Sequence, residues 1–90
     1  MEVDRGTSIR DWLLDLVPDI DGPTLHALTI EFKKDSIANY GNVLECIDSG
    51  VLEVSDIKDY LKTAQLPKMK SVRILTEFQK IVSTRALGHR

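Results

Sequence analysis

The stretch MKSVRILTEFQKIVSTR, residues 69–85, decides the fold of this chain. At 3.6 residues per turn, its apolar side chains share one half of a helix and its polar side chains share the other. The apolar half, continued by one residue, contains Val72, Ile74, Leu75, Phe78, Ile81, Val82 and Ala86. The pattern predicts a long amphipathic helix with one side in a core, and Gly88 is placed where a left-handed C-terminal cap is cheap.

Two helices are predicted near the start of the chain. Thr7 or Ser8 can cap the first, whose apolar side includes Trp12, and Pro18 ends it. Pro23 suits the first position of the second helix. The inward side of that helix is expected to hold Leu25, Leu28 and Phe32.

Two further helices are predicted before residue 69. The third should be firm from about Asn42, because Gly41 costs roughly 1 kcal/mol relative to alanine inside a helix. It should close at Ser49 and Gly50. Ser55 is a suitable N-cap for the fourth. No alternating strand pattern occurs, so the fold class is all-α, a compact five-helix bundle with a long C-terminal helix.

Length and composition favour one domain. Ninety residues, 42% of them hydrophobic and 29% charged, can bury one modest core but not two. We expect a helical domain at residues 7–86 with flexible ends at 1–6 and 87–90. Apolar runs are too short to cross a bilayer, and the N-terminus lacks a signal-peptide pattern. With Cys46 as the single cysteine, we expect a soluble intracellular protein, cytoplasmic or nuclear.

The charges are distributed unevenly along the chain. Residues 1–60 contain 5 Lys/Arg and 13 Asp/Glu, a net charge of −8, whereas residues 61–90 contain 7 and 1, a net charge of +6. This asymmetry either has no role beyond solvation or marks two complementary binding surfaces.

Residues for catalysis or metal binding are sparse. His26 and His89 lie 63 positions apart, and Cys46 has no ligand-spaced companion. The glycines have no phosphate-loop spacing. Helix capping and solubility account for the carboxylates. We therefore expect no enzyme activity, no cofactor and no metal.

The order of features resembles that of a sterile alpha motif (SAM) domain, a five-helix interaction module. The resemblance covers about residues 9–82 and rests on the following pieces: Trp12-Leu13-x-x-Leu16, Phe32-x-x-x-x-Ile37, Ser55-Asp56-Ile57-Lys58, and Arg73-Ile74-Leu75 with Phe78 and Ile81. The segment 66–70, LPKMK, replaces the glycine-containing turn that is usual before the last helix of the family. A different helical adaptor fold is the alternative.

The resemblance implies head-to-tail association with a protein partner, either another SAM domain or a second copy. The basic end-helix patch would contain Lys68, Met69, Lys70 and Arg73. The acidic mid-loop patch would contain Glu45, Asp48, Glu53, Asp56 and Asp59. Opposite charges would orient docking, while buried apolar contacts such as Met69 or Val51 would supply affinity.

Two other functions are compatible with the sequence. Some SAM relatives bind RNA hairpins through the start of the last helix, but this patch has few cations and no aromatic residue to stack on bases. A purely structural role, in which the bundle packs on neighbouring domains, is the other. We expect no membrane insertion, and a lipid-surface role is disfavoured, because the polar side of the last helix carries Glu77 among its cations and its apolar side is needed for the core.

Overall fold

The computed structural model describes residues 3–88, and it describes side chains as far as residue 86. Within this range the chain forms five helices and no strand, which confirms the predicted all-α five-helix bundle. The helices are α1 (Ile9–Leu16), α2 (Gly22–Lys34), α3 (Tyr40–Asp48), α4 (Val54–Thr63) and α5 (Lys68–Gly88). Residues 1, 2, 89 and 90 lie outside the described part. The C-terminal cap predicted at Gly88 involves the residues that follow it, so it also lies outside.

Polar side chains at three helix starts accept hydrogen bonds from backbone N–H groups three residues later. The Ser8 hydroxyl accepts from Asp11 at 3.1 Å, and the Asp21 carboxylate accepts from Thr24 at 3.1 Å. The Asn39 amide oxygen plays the same part for α3. Each cap satisfies a donor that the helix itself leaves unpaired. The prediction that Thr7 or Ser8 caps α1 is confirmed for Ser8.

The start of α4 differs from the prediction. Ser55 was the expected N-cap, but the cap is Glu53 and the helix begins at Val54. The backbone N–H of Glu53 donates to Asp56 Oδ2 at 2.8 Å. An acidic residue at the third helical position can accept the N–H of the cap residue, so Asp56 fixes the earlier start.

The start of α3 also lies earlier than expected, at Tyr40 rather than about Asn42. Gly41 is buried in its first turn, and its N–H donates to the Arg5 carbonyl at 2.9 Å. A Cβ at position 41 would lie 3.1 Å from that carbonyl oxygen. The absence of a side chain therefore lets residues 3–6, part of the segment predicted to be flexible, lie against α3, and Val3 packs on the core.

The core is built around aromatic side chains from four elements. Trp12 of α1 is 1% exposed and meets Phe32 of α2 edge-on, with ring centroids 6.4 Å apart. Phe32 also packs against Tyr60 of α4, at 4.9 Å between centroids. Phe78 of α5 is fully buried. The expected burial of Leu25, Leu28 and Phe32 on one side of α2 is confirmed.

Only part of the apolar half of α5 is buried. Ile74 and Phe78 are fully buried, and Leu75, Ile81 and Val82 are partly buried, but Val72 and Ala86 are exposed. The helix has 21 residues, compared with 8 to 13 in the others, and it packs on α1 and α4. Its partners cover its middle, so the first turns keep apolar side chains in solvent.

A buried tyrosine connects α4 to the turn after α2. The Tyr60 hydroxyl donates to the Asp35 carboxylate. Burial, followed by that hydrogen bond and the negative charge of Asp35, raises the pKa of Tyr60 above its ordinary range. This contact fixes the turn in which Ser36 adopts a left-handed φ of 64°.

Candidate protein-interaction surfaces

The basic patch, Lys68, Met69, Lys70 and Arg73, lies on the first two turns of α5. The preceding turn passes through Gln65 at a φ of 59° and then Pro67, and the buried Ile74 anchors the helix behind the patch. Met69 is 74% exposed and Val72 is 48% exposed. The structure therefore combines positive charge with exposed apolar surface at the start of α5.

Acidic residues from the α1–α2 loop lie beside this basic patch. Arg73 Nη1 is 3.1 Å from Asp19 Oδ1, and Lys70 Nζ donates to the Asp19 carbonyl at 3.1 Å. Hydrogen bonds from the Thr24 side chain and backbone, with a smaller contribution from Lys70, lower the pKa of Asp21. The patch is thus less uniformly positive than the sequence predicted.

The pair between Arg73 and Asp19 is solvent-accessible, with side-chain exposures of 53% and 62%. Pairs of this kind are worth about 0 to 1 kcal/mol and weaken as salt is added. Arg73 can therefore exchange Asp19 for an acidic group of a partner at little cost.

The acidic patch spans the end of α3, the connector and the first half of α4. Glu45 and Asp48 lie on α3, Glu53 lies in the connector, and Asp56 and Asp59 lie on α4. Val51 in the connector is 68% exposed, the second most exposed of the large apolar side chains in the described chain. Negative charge and an apolar contact point therefore occur together here as well.

Three of the five acidic residues already have contacts within the chain. Asp56 accepts the Glu53 N–H at the start of α4, and the Glu53 side chain accepts the Asp56 N–H in return. Asp48 forms a two-pronged ion pair with Arg85 of α5, and the two side chains are 29% and 25% exposed. Glu45 and Asp59 are exposed and more available to a partner.

Three residues that shape these surfaces were missed in the sequence. Val72 falls on the apolar half of the helical wheel, which predicts a core position, but its side chain is 48% exposed. Asp19 and Arg85 pair with residues 54 and 37 positions away, and no local spacing reveals such pairs. In the sequence, the one signal for the basic surface is the pair of lysines, Lys68 and Lys70, that flank Met69.

The described residues contain no group of three or more His, Cys, Asp or Glu side chains placed to hold a metal ion. Burial, with smaller effects of Glu45 and Asp35, raises the pKa of the Cys46 thiol, which disfavours the nucleophilic thiolate. Within residues 3–88, no helix combines the length and the hydropathy needed to span a bilayer.

Comparisons with protein-family models, with curated proteins and with solved structures gave no match for this chain.

Proposed function

We propose that this chain is a non-catalytic, SAM-like protein-interaction module that associates head to tail inside the cell. The basic patch on the start of α5 of one copy binds the acidic patch on the α3–α4 region of the next. One observation carries the proposal. Among the five exposed large apolar side chains of the described chain, three, Val51, Met69 and Val72, lie in or beside these two patches.

The two kinds of side chain have different parts in the proposed contact. Met69 and Val72 of one copy would pack near Val51 of the other and supply most of the affinity, because a few desolvated apolar contacts dominate protein interfaces. Lys68, Lys70 and Arg73 would face Glu45, Glu53 and Asp59, which speeds and orients docking.

The partner best fitted by these charges is a second copy of the chain. The two patches are different surfaces, so each copy retains one unused patch after binding. Such a heterologous contact gives open chains of molecules unless a rotation closes a ring. Apparent mass should then rise with protein concentration and fall with salt.

Sedimentation velocity tests the proposal. The wild type should show concentration-dependent association at low salt, and Lys70→Glu should reduce it about tenfold. Lys33→Glu, on the exposed surface of α2, makes the same charge change outside both patches and should leave association unchanged. Equal behaviour of all three proteins, or association that salt does not weaken, would overturn the proposal.

RNA binding through the basic patch would give a different result. Asp19 and Asp21 lie beside the cations and would repel phosphates. Fluorescence anisotropy with a stem-loop RNA at low salt should therefore remain flat, while a saturable increase lost in Lys70→Glu would favour RNA.

A further inference from the structure

A groove of about 610 Å³ lies away from the basic patch and borders the acidic patch, because its lining residue Arg85 pairs with Asp48. Its walls come from three parts of the chain. The N-terminal segment contributes Val3, the start of α3 contributes Tyr40, and the second half of α5 contributes Ile81. Ile81 lies 12 residues beyond Met69, about 18 Å along the helix axis. The groove is therefore separate from the basic patch.

The floor of the groove is apolar and incompletely covered. Val3, Tyr40 and Ile81 are partly exposed, and Leu44 is almost fully buried beneath them. The Tyr40 ring is held in place by Trp12, at 5.6 Å between ring centroids. The volume falls in the range of about 300 to 1,000 Å³ that is typical of small-molecule sites. A compact aromatic body would cover this floor and could stack on Tyr40.

Two of the five charged lining groups already have contacts. Arg85 is bound to Asp48, and Asp4 accepts the Gly6 N–H at 2.7 Å. In residues 3–86, no hydrogen bond or ion pair engages the side chains of the lining residues Arg5, Lys80 and Glu77. Two cations and one anion remain, so the groove favours a negatively charged ligand.

Contacts within the chain join the walls of the groove to one another. The N-terminal segment is tied to α3 by the hydrogen bond between Gly41 and Arg5, and the Arg85–Asp48 pair bridges α5 and α3. These contacts favour a small molecule over an extended peptide.

We propose that this groove binds a small aromatic anion. Arg5 and Lys80 hold its carboxylate, sulfonate or phosphate group, and Val3, Tyr40 and Ile81 cover its ring system. This site is independent of the head-to-tail contact, and its failure would leave that proposal intact.

Two dyes that share a ring system but differ in charge test the site. On the whole chain, the aromatic sulfonate 8-anilinonaphthalene-1-sulfonate should bind saturably, with amide shifts in NMR spectra at Val3 and Ile81. Arg5→Gln and Lys80→Gln should each weaken its binding about tenfold, because each removes a charge-assisted contact. The uncharged N-phenyl-1-naphthylamine should bind all of these proteins within about twofold of one another.

Lys62→Gln serves as the control, since it removes an exposed lysine on α4. Circular dichroism checks that every variant keeps its helices. Absence of saturable sulfonate binding, shifts confined to other surfaces, or equal sulfonate affinity in all variants would overturn the proposal.

Discussion

Arg73 on the start of α5 contacts Asp19 in the α1–α2 loop, with 3.1 Å between Nη1 and Oδ1. The contact joins residues 54 positions apart and places an acidic group inside the proposed basic patch. The pair is exposed, so it affects the charge of the surface more than the stability of the fold.

Asp19→Asn should therefore change binding more than folding. Because Arg73 loses a competing carboxylate, we expect self-association to tighten two- to threefold at low salt, while the free energy of unfolding changes by less than about 0.5 kcal/mol. Sedimentation velocity and urea unfolding measure the two effects. Asp15→Asn, which removes an exposed charge from α1, is the control and should leave association unaltered.

Gly41→Ala should destabilise the protein by about 1 kcal/mol, although alanine normally favours a helix. The added Cβ would lie 3.1 Å from the Arg5 carbonyl oxygen, so the Arg5 backbone must shift away from α3, which weakens the hydrogen bond from the N–H of residue 41. Gly22→Ala in the first turn of α2 is the matched control, since no atom beyond its two chain neighbours and its own helix backbone lies within 4 Å of its new Cβ. Thermal unfolding should separate the two variants, and equal or greater stability of Gly41→Ala would contradict this account.

Phe78→Ala should cost about 3 to 5 kcal/mol, since it leaves a cavity beneath α5. Val72→Ala on the same helix should cost less than about 1 kcal/mol, because Val72 is 48% exposed. Chemical denaturation of both variants measures how far the core extends along α5. Similar losses would place Val72 in the core after all.

Tyr60 should make the protein less stable in strong alkali. In the folded state the pKa of Tyr60 is raised above the ordinary value of 10.0. The protonated hydroxyl therefore contributes fully to the free energy of unfolding below pH 10, and this contribution is lost as the pH rises from 10 through the folded-state pKa. Tyr60→Phe should therefore flatten the fall in unfolding free energy above pH 10. Asp35→Asn keeps an acceptor but removes the negative charge, so it should flatten the fall partially. An unchanged slope in Tyr60→Phe would assign the alkaline effect to other groups.

Local sequence signals predicted the helices well and the surfaces less well. The apolar spacing of α2 correctly predicted that Leu25, Leu28 and Phe32 are buried, because the side of α2 that carries them packs on α1 and α4. The same reasoning failed for Val72, since a helical wheel cannot show where the packing partners of α5 end. The ion pairs of Asp19 and Asp48 depend on how the α1–α2 loop and α3 lie against α5, and a linear pattern does not contain that information.

One mixing experiment tests the head-to-tail contact most directly. Val51→Glu should disable the acidic patch, and Met69→Glu should disable the basic patch. Each variant alone should sediment as a monomer, but an equimolar mixture should form a one-to-one dimer, because each retains the patch that the other lacks. Leu14→Glu, an exposed apolar site outside both patches, should associate like the wild type. A mixture that remains monomeric, or single variants that associate as strongly as the wild type, would contradict the account.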